Sequence, residues 1–94
     1  MQEKTTNKED GIRIPRQIVE ADISFSARVL YGYIDRTRRN NWSLVTNKEL
    51  AKEMQVGERS IRRWISELKK EKFIRVEEEI VNGVKRRILY LKFY

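Results

Sequence analysis

The sequence predicts an α+β domain in which three helices precede a small antiparallel sheet, and three observations carry that prediction. Apolar residues recur at helical spacing in stretches that end at Lys72. Beyond Lys72 the spacing becomes two, and the alternating stretch is divided by Asn82-Gly83, the dipeptide favoured in two-residue type I′ turns. A length of 94 residues suits one hydrophobic core.

Residues 1–10 are polar, aperiodic and without large apolar groups, so they read as a flexible tail, and residues 11–94 read as the domain. Gly11-Ile12-Arg13-Ile14-Pro15 alternates apolar and basic residues and suggests a short edge strand stopped by the proline. A turn or helical stretch follows through Ile18 and Val19 to Asp22. Ser24 or Ser26 caps a first long helix, in which Ala27, Leu30, Tyr31 and Ile34 form a core-facing stripe and which is expected to reach about Arg38 or Arg39. Asn40-Asn41 breaks it, and Trp42 to Val45 reads as a brief strand.

Thr46 with Glu49 forms a capping box and Val45 with Leu50 a hydrophobic staple, so a second helix starts near Asn47 and turns Leu50, Ala51 and Met54 inward. After Gln55-Val56-Gly57 a third runs from Glu58 to about Glu71, with Ile61, Trp64, Ile65 and Leu68 on one face. Phe73 to Val81 and Val84 to Phe93 are the hairpin strands. A two-residue turn sets Ile74 against Leu91 and Val76 against Leu89 towards the core, Glu78 against Arg87, Glu79 against Arg86, and Ile80 against Lys85.

Lys plus Arg number 21 against 14 Asp plus Glu, a net charge of +7, which points to a polyanionic partner, nucleic acid before a membrane surface. With no Cys and no His the chain cannot supply thiolate or imidazole chemistry or a zinc finger, so neither an enzyme nor a metal or other cofactor is expected. No window approaches the ~20 apolar residues of a membrane span, so a cytoplasmic protein is expected.

Two helices joined by a tight turn and followed by a β-hairpin have the order of a winged helix-turn-helix, whose second helix enters the DNA major groove. Ala51 supplies the small residue at the helix crossing, Val56 the apolar plug of the turn, and Ile61 with Trp64 the anchors of the second helix; an ordinary helical hairpin would want similar residues but not the wing. Arg59, Arg62, Arg63 and Ser66 fall on the face opposite the apolar stripe, where planar guanidiniums can grip guanine edges or phosphates. The pairs Glu58–Arg62 and Arg63–Glu67, four residues apart, would partly neutralise that face. In the wing, Arg86 and Arg87 face acids, whereas Lys85 is expected to be the free cation at the tip. The candidate DNA-binding set is Asn47, Lys48, Arg59, Ser60, Arg62, Arg63, Ser66, Lys69, Lys85 and Arg86. Trp64 is read as core, and Tyr33 and Trp42 as core residues with access to the surface.

Ile14-Pro15, Ser26-Ala27-Arg28-Val29-Leu30-Tyr31-Gly32-Tyr33-Ile34, Thr46-Asn47-Lys48-Glu49-Leu50-Ala51 and Ser60-Ile61-Arg62-Arg63-Trp64-Ile65-Ser66-Glu67-Leu68 leading into Phe73-Ile74 are shared features of a known group. Over residues 12 to 91 the chain resembles the N-terminal winged-helix domains of phage and plasmid replication initiators, or replisome organisers, of Gram-positive bacteria. It departs from the usual pattern at Gln55, where the turn commonly has a left-handed glycine, and at Gly57, where Ser or Thr commonly caps the second helix, so a turn displaced by a residue is one expectation. The resemblance implies origin recognition on double-stranded DNA. It also implies partners beyond DNA: a homodimer, and replication proteins reached through a C-terminal region that is not in this chain, which would make it an excised domain or a small stand-alone protein. Related winged helices serve as transcriptional regulators, the alternative role; a basic module docking on an acidic protein is the third.

Overall fold

The computed structural model describes residues 11–94, so the tail expected at residues 1–10 lies outside the described residues. Four helices and three strands follow one another as α1 (Arg16–Val19), α2 (Phe25–Arg36), β1 (Trp42–Ser43), α3 (Asn47–Met54), α4 (Glu58–Lys70), β2 (Ile74–Val81) and β3 (Val84–Leu91). The three long helices are those expected; α1 is the single turn around Ile18.

Local chemistry accounts for each start. Ser24 accepts the Ala27 N–H at 3.1 Å and caps α2. Thr46 and Glu49 complete the capping box of α3 reciprocally, the Glu49 N–H reaching Thr46 Oγ1 at 3.1 Å and the Thr46 N–H reaching Glu49 Oε1 at 2.9 Å. Helix α4 begins at Gly57, which offers no side-chain cap. The turn between α3 and α4 is not displaced: Gln55 itself takes the left-handed conformation at φ 58°, and the Val56 N–H returns to the Ala51 carbonyl at 3.0 Å.

Ile18, Leu30, Tyr31, Ile34, Leu50, Ile61, Leu68 and Leu89 are sealed from solvent and join the helices to the sheet in one core. The sheet is antiparallel with order β1-β3-β2. Its hairpin register is the expected one throughout, from Ile74 opposite Leu91 to Val81 opposite Val84. Asn82 and Gly83, at φ 53° and 78°, supply the two positive angles a type I′ turn needs. The architecture is a winged helix-turn-helix.

Three boundaries differ from expectation. Residues 11–15 form no strand, because they pair with no sheet edge; Ile12 instead lies on α2 so closely that a Cβ on Gly32 would sit 2.8 Å from its Cδ1. Helix α2 ends at Arg36, where the Thr37 hydroxyl takes the Ile34 carbonyl at 2.8 Å and the backbone leaves the helical region. Strand β1 stops at Ser43, whose hydroxyl accepts the Val45 N–H at 3.1 Å in place of further ladder bonds.

Candidate nucleic-acid interface

Helix α4 has two unlike faces. Ile61, Trp64, Ile65 and Leu68 are buried against the body, and Arg59, Arg62, Arg63, Ser66 and Lys69 are exposed on the other side, with Ser60 half-buried at the margin. The neutralising pairs expected along this face do not form. Glu67 is held by Ser24 at the start of α2, accepting its N–H at 2.9 Å and its hydroxyl at 2.8 Å. That leaves Arg63 with only the Trp64 ring, 6.0 Å from its guanidinium carbon, at the outer limit of a cation–π contact. Arg59 and Arg62 have no hydrogen-bond or ion-pair partner among the described residues. Three guanidiniums thus stand on one solvent-facing side of a helix whose other side fixes its orientation.

A groove beside this face brings together residues from three elements: Asn47 and Lys48 at the start of α3, Glu58 at the start of α4, and Lys85 and Arg86 in the wing. Within it the expected pairing of Arg87 with Glu78 is replaced. Arg87 sits on the sheet face turned towards α3 and donates to Asn47 Oδ1 and, at 2.8 Å, to the Val45 carbonyl. Burial pushes its pKa below the ordinary arginine value, and the two acceptors compensate for part of the lost hydration. The Asn47 amide oxygen is therefore occupied in holding the wing to the helix-turn-helix unit.

Glu78, released from Arg87, takes Lys85 on the diagonal at 3.8 Å, so Lys85 is not the free cation expected from its position opposite Ile80. Arg86 pairs with Glu79 as the register requires. Lys69 lies apart from the wing groove, at the other end of α4, where it lines a second groove with Lys72, Arg75 and Lys92. These three cations and the strut role of Arg87 were missed in the sequence. Their only local signal is Lys92, which has no acid near it in the sequence, whereas Lys72 directly follows Glu71.

No helix among the described residues is long and apolar enough to cross a membrane. No curated protein and no solved structure matches the chain significantly. The family model described as a helix-turn-helix domain matches residues 21–74, from the turn before α2 to the first residue of β2, and so covers both helices of the unit and the basic face of α4. With more than half its length matched and the geometry of the unit in place, the chain belongs to the helix-turn-helix domain family of DNA-binding modules.

Proposed function

We propose that the chain recognises specific double-stranded DNA, with α4 in the major groove and the β2–β3 hairpin against the flanking backbone, at a replication origin of a phage or plasmid. One observation carries the duplex reading: Arg59, Arg62 and Arg63 project from the exposed side of a core-anchored helix and carry no acid partner among the described residues. Guanidiniums left without acid partners are ready to form bidentate bonds with guanine O6 and N7 or with phosphate oxygens. The replication role rests on the resemblance of the α2, α3 and α4 segments to initiator domains; a transcriptional regulator would use the same face.

Selection from random duplexes followed by footprinting on the genomic matches tests both levels. Iterated sites are expected for an origin, and a single site overlapping a promoter would favour the regulator. On the selected duplex, Arg62→Ala and Arg63→Ala should each lose about 1–3 kcal/mol of binding, with relaxed preference at one base position where a guanine is read. Melting temperatures should be almost unchanged, because both side chains are exposed and the contact of Arg63 with the Trp64 ring lies at the outer limit of a cation–π interaction. Full affinity in both variants would move the interface off α4.

A further inference from the structure

The groove at the C-terminal end of α4 is chemically distinct from the wing side. Lys69 and Lys72 at the end of α4, Arg75 in β2, Tyr90 in β3, Lys92 just beyond it and Asn41 all line it, and no carboxylate does. Tyr90 is half-buried and lies directly across from Trp42 on one side and Arg75 on the other. The Arg75 guanidinium carbon stands over the Tyr90 ring, 4.4 Å from its centre, well within cation–π range. Glu77, outside the groove lining, holds Arg75 at 2.9 Å, which orients the guanidinium while leaving the lysines as the uncompensated charge.

Lys72 enters the groove through its place in the fold. It occupies the left-handed position just after α4, at φ 63°, where glycine is the unstrained residue. A lysine there makes the backbone adopt a less favoured conformation while placing an ammonium on the groove wall. The backbone there closes α4, the Phe73 N–H returning to the Leu68 carbonyl at 2.9 Å, and what the side chain adds is an ammonium beside three other cations and the Arg75–Tyr90 pair.

We infer that this groove binds single-stranded nucleic acid, its lysines following the phosphates and the Arg75–Tyr90 pair offering a surface to an unpaired base. Phosphodiesters match a wall of cations without acids, and arginine planes and tyrosine rings are surfaces on which unstacked bases lie. A duplex keeps its base faces inside the stack, so the aromatic part of the groove fits a single strand better. The site meets the exposed face of α4 only at Lys69; Lys72, Arg75, Tyr90 and Lys92 lie outside the Arg59, Arg62 and Arg63 face, so the site can be tested apart from the duplex reading.

Binding of the described protein to a labelled oligothymidylate and to a duplex, each across a salt series, tests it. A Lys72→Gly, Lys92→Ala double variant should weaken the oligothymidylate about tenfold and reduce its salt slope by about 1.4, the value for two phosphates of a single strand. Its duplex affinity should be retained. Its melting temperature should not fall, since glycine relieves the left-handed strain at residue 72; a passive surface lysine would not separate stability from binding in this way. Tyr90→Leu tests stacking, and Arg62→Ala with Arg63→Ala should show the reverse pattern, losing the duplex and keeping the single strand.

No binding of the oligothymidylate, an unaltered affinity in the double variant, or equal losses on single strand and duplex would overturn the inference, the last by making one continuous duplex surface. Poly-L-glutamate competing as well as oligothymidylate would overturn the assignment to nucleic acid. Loss of duplex binding alone would count against the function proposed above and leave this site standing.

Discussion

On α4, Arg59, Arg62 and Arg63 stand exposed without acid partners among the described residues, whereas in the hairpin Lys85 and Arg86 are paired with Glu78 and Glu79 and Arg87 is bonded to Asn47 and Val45. Equal formal charge therefore has unequal availability. The cause lies in neighbours more than in the cations themselves: Glu67, the one acid placed to quench Arg63, is drawn to Ser24 by two hydrogen bonds, and the wing has three consecutive acids facing its basic strand. A helix whose cations are free and whose backbone is immobile is suited to reading base edges. A hairpin with balanced charges and one strut is suited to a supporting contact, where small rearrangements release a cation to a phosphate.

The largest effect should come from removing what makes α4 immobile. Trp64 is only 8% exposed, and Trp64→Ala should cost about 3–5 kcal/mol by opening a cavity under the helix. Ile80 lies near the wing tip at 71% exposure, and Ile80→Ala should leave stability almost unchanged. Chemical denaturation of the two variants side by side checks the contrast. A stable Trp64→Ala protein that had lost only DNA binding would remove the core anchor from the account and make Trp64 a contact residue.

The hairpin is anchored at its base by Tyr31. Its hydroxyl donates to the Phe93 carbonyl at 2.6 Å and accepts the Phe93 N–H at 2.8 Å, joining α2 to the chain just beyond β3. Burial is the main cause that pushes the Tyr31 pKa up to about 12; the bond to Phe93 pulls it down, and Asp35 and Arg38 act in opposite directions. The folded value lies above the ordinary value of 10.0, so the folded state favours the neutral phenol. The associated stability is complete below pH 10 and is lost as pH rises from there through the folded value of about 12, by about 2–3 kcal/mol in all. Lysines also titrate in this range, so the quantity to measure is the difference in unfolding free energy between the parent and Tyr31→Phe. That difference should shrink as pH rises through this window. A constant difference would show that Tyr31 does not ionise with unfolding and that another contact holds the hairpin base.

Much of this was legible in the sequence because it is local. The Thr46–Glu49 box, the Asn82-Gly83 turn and the stripe from Ile61 to Leu68 are each specified within a few residues, and the register follows from the turn by counting. The candidate set on α4 was legible for the same reason. The partners of its charges were not, because they depend on elements distant in the chain. Arg87 meets Asn47 across 40 positions, and Glu67 meets Ser24 across 43. An opposed acid is the best guess for a strand cation, but a diagonal neighbour or a helix start can be nearer once the sheet twists. The short strand expected at residues 11–15 failed on similar grounds: Ile12 and Ile14 are half-buried and Arg13 is exposed, as an alternating segment would be, but no strand edge lies beside them to make a ladder.

The smallest and most discriminating effects concern how firmly the wing cations are held. The Lys85–Glu78 pair spans 3.8 Å with side chains 67% and 60% exposed, so water screens it and it opens readily. Arg86 and Glu79 are closer and less exposed, at 47% and 38%, and should resist opening more. Lys85→Ala should therefore reduce the salt slope of duplex binding by slightly less than the ~0.9 expected for one phosphate contact, on specific and random duplexes alike, and Arg86→Ala should reduce it by less. The converse substitutions sharpen the comparison with α4. Glu78→Gln removes the acid and leaves Lys85 as free as Arg62, so duplex affinity should rise and the slope should steepen, with little change in melting temperature. Glu79→Gln should raise affinity too, but with a small loss of hairpin stability, because the tighter pair is broken. If Glu78→Gln leaves affinity and slope unchanged, Lys85 does not approach phosphate, the wing tip is outside the interface, and the division of labour reduces to α4 alone.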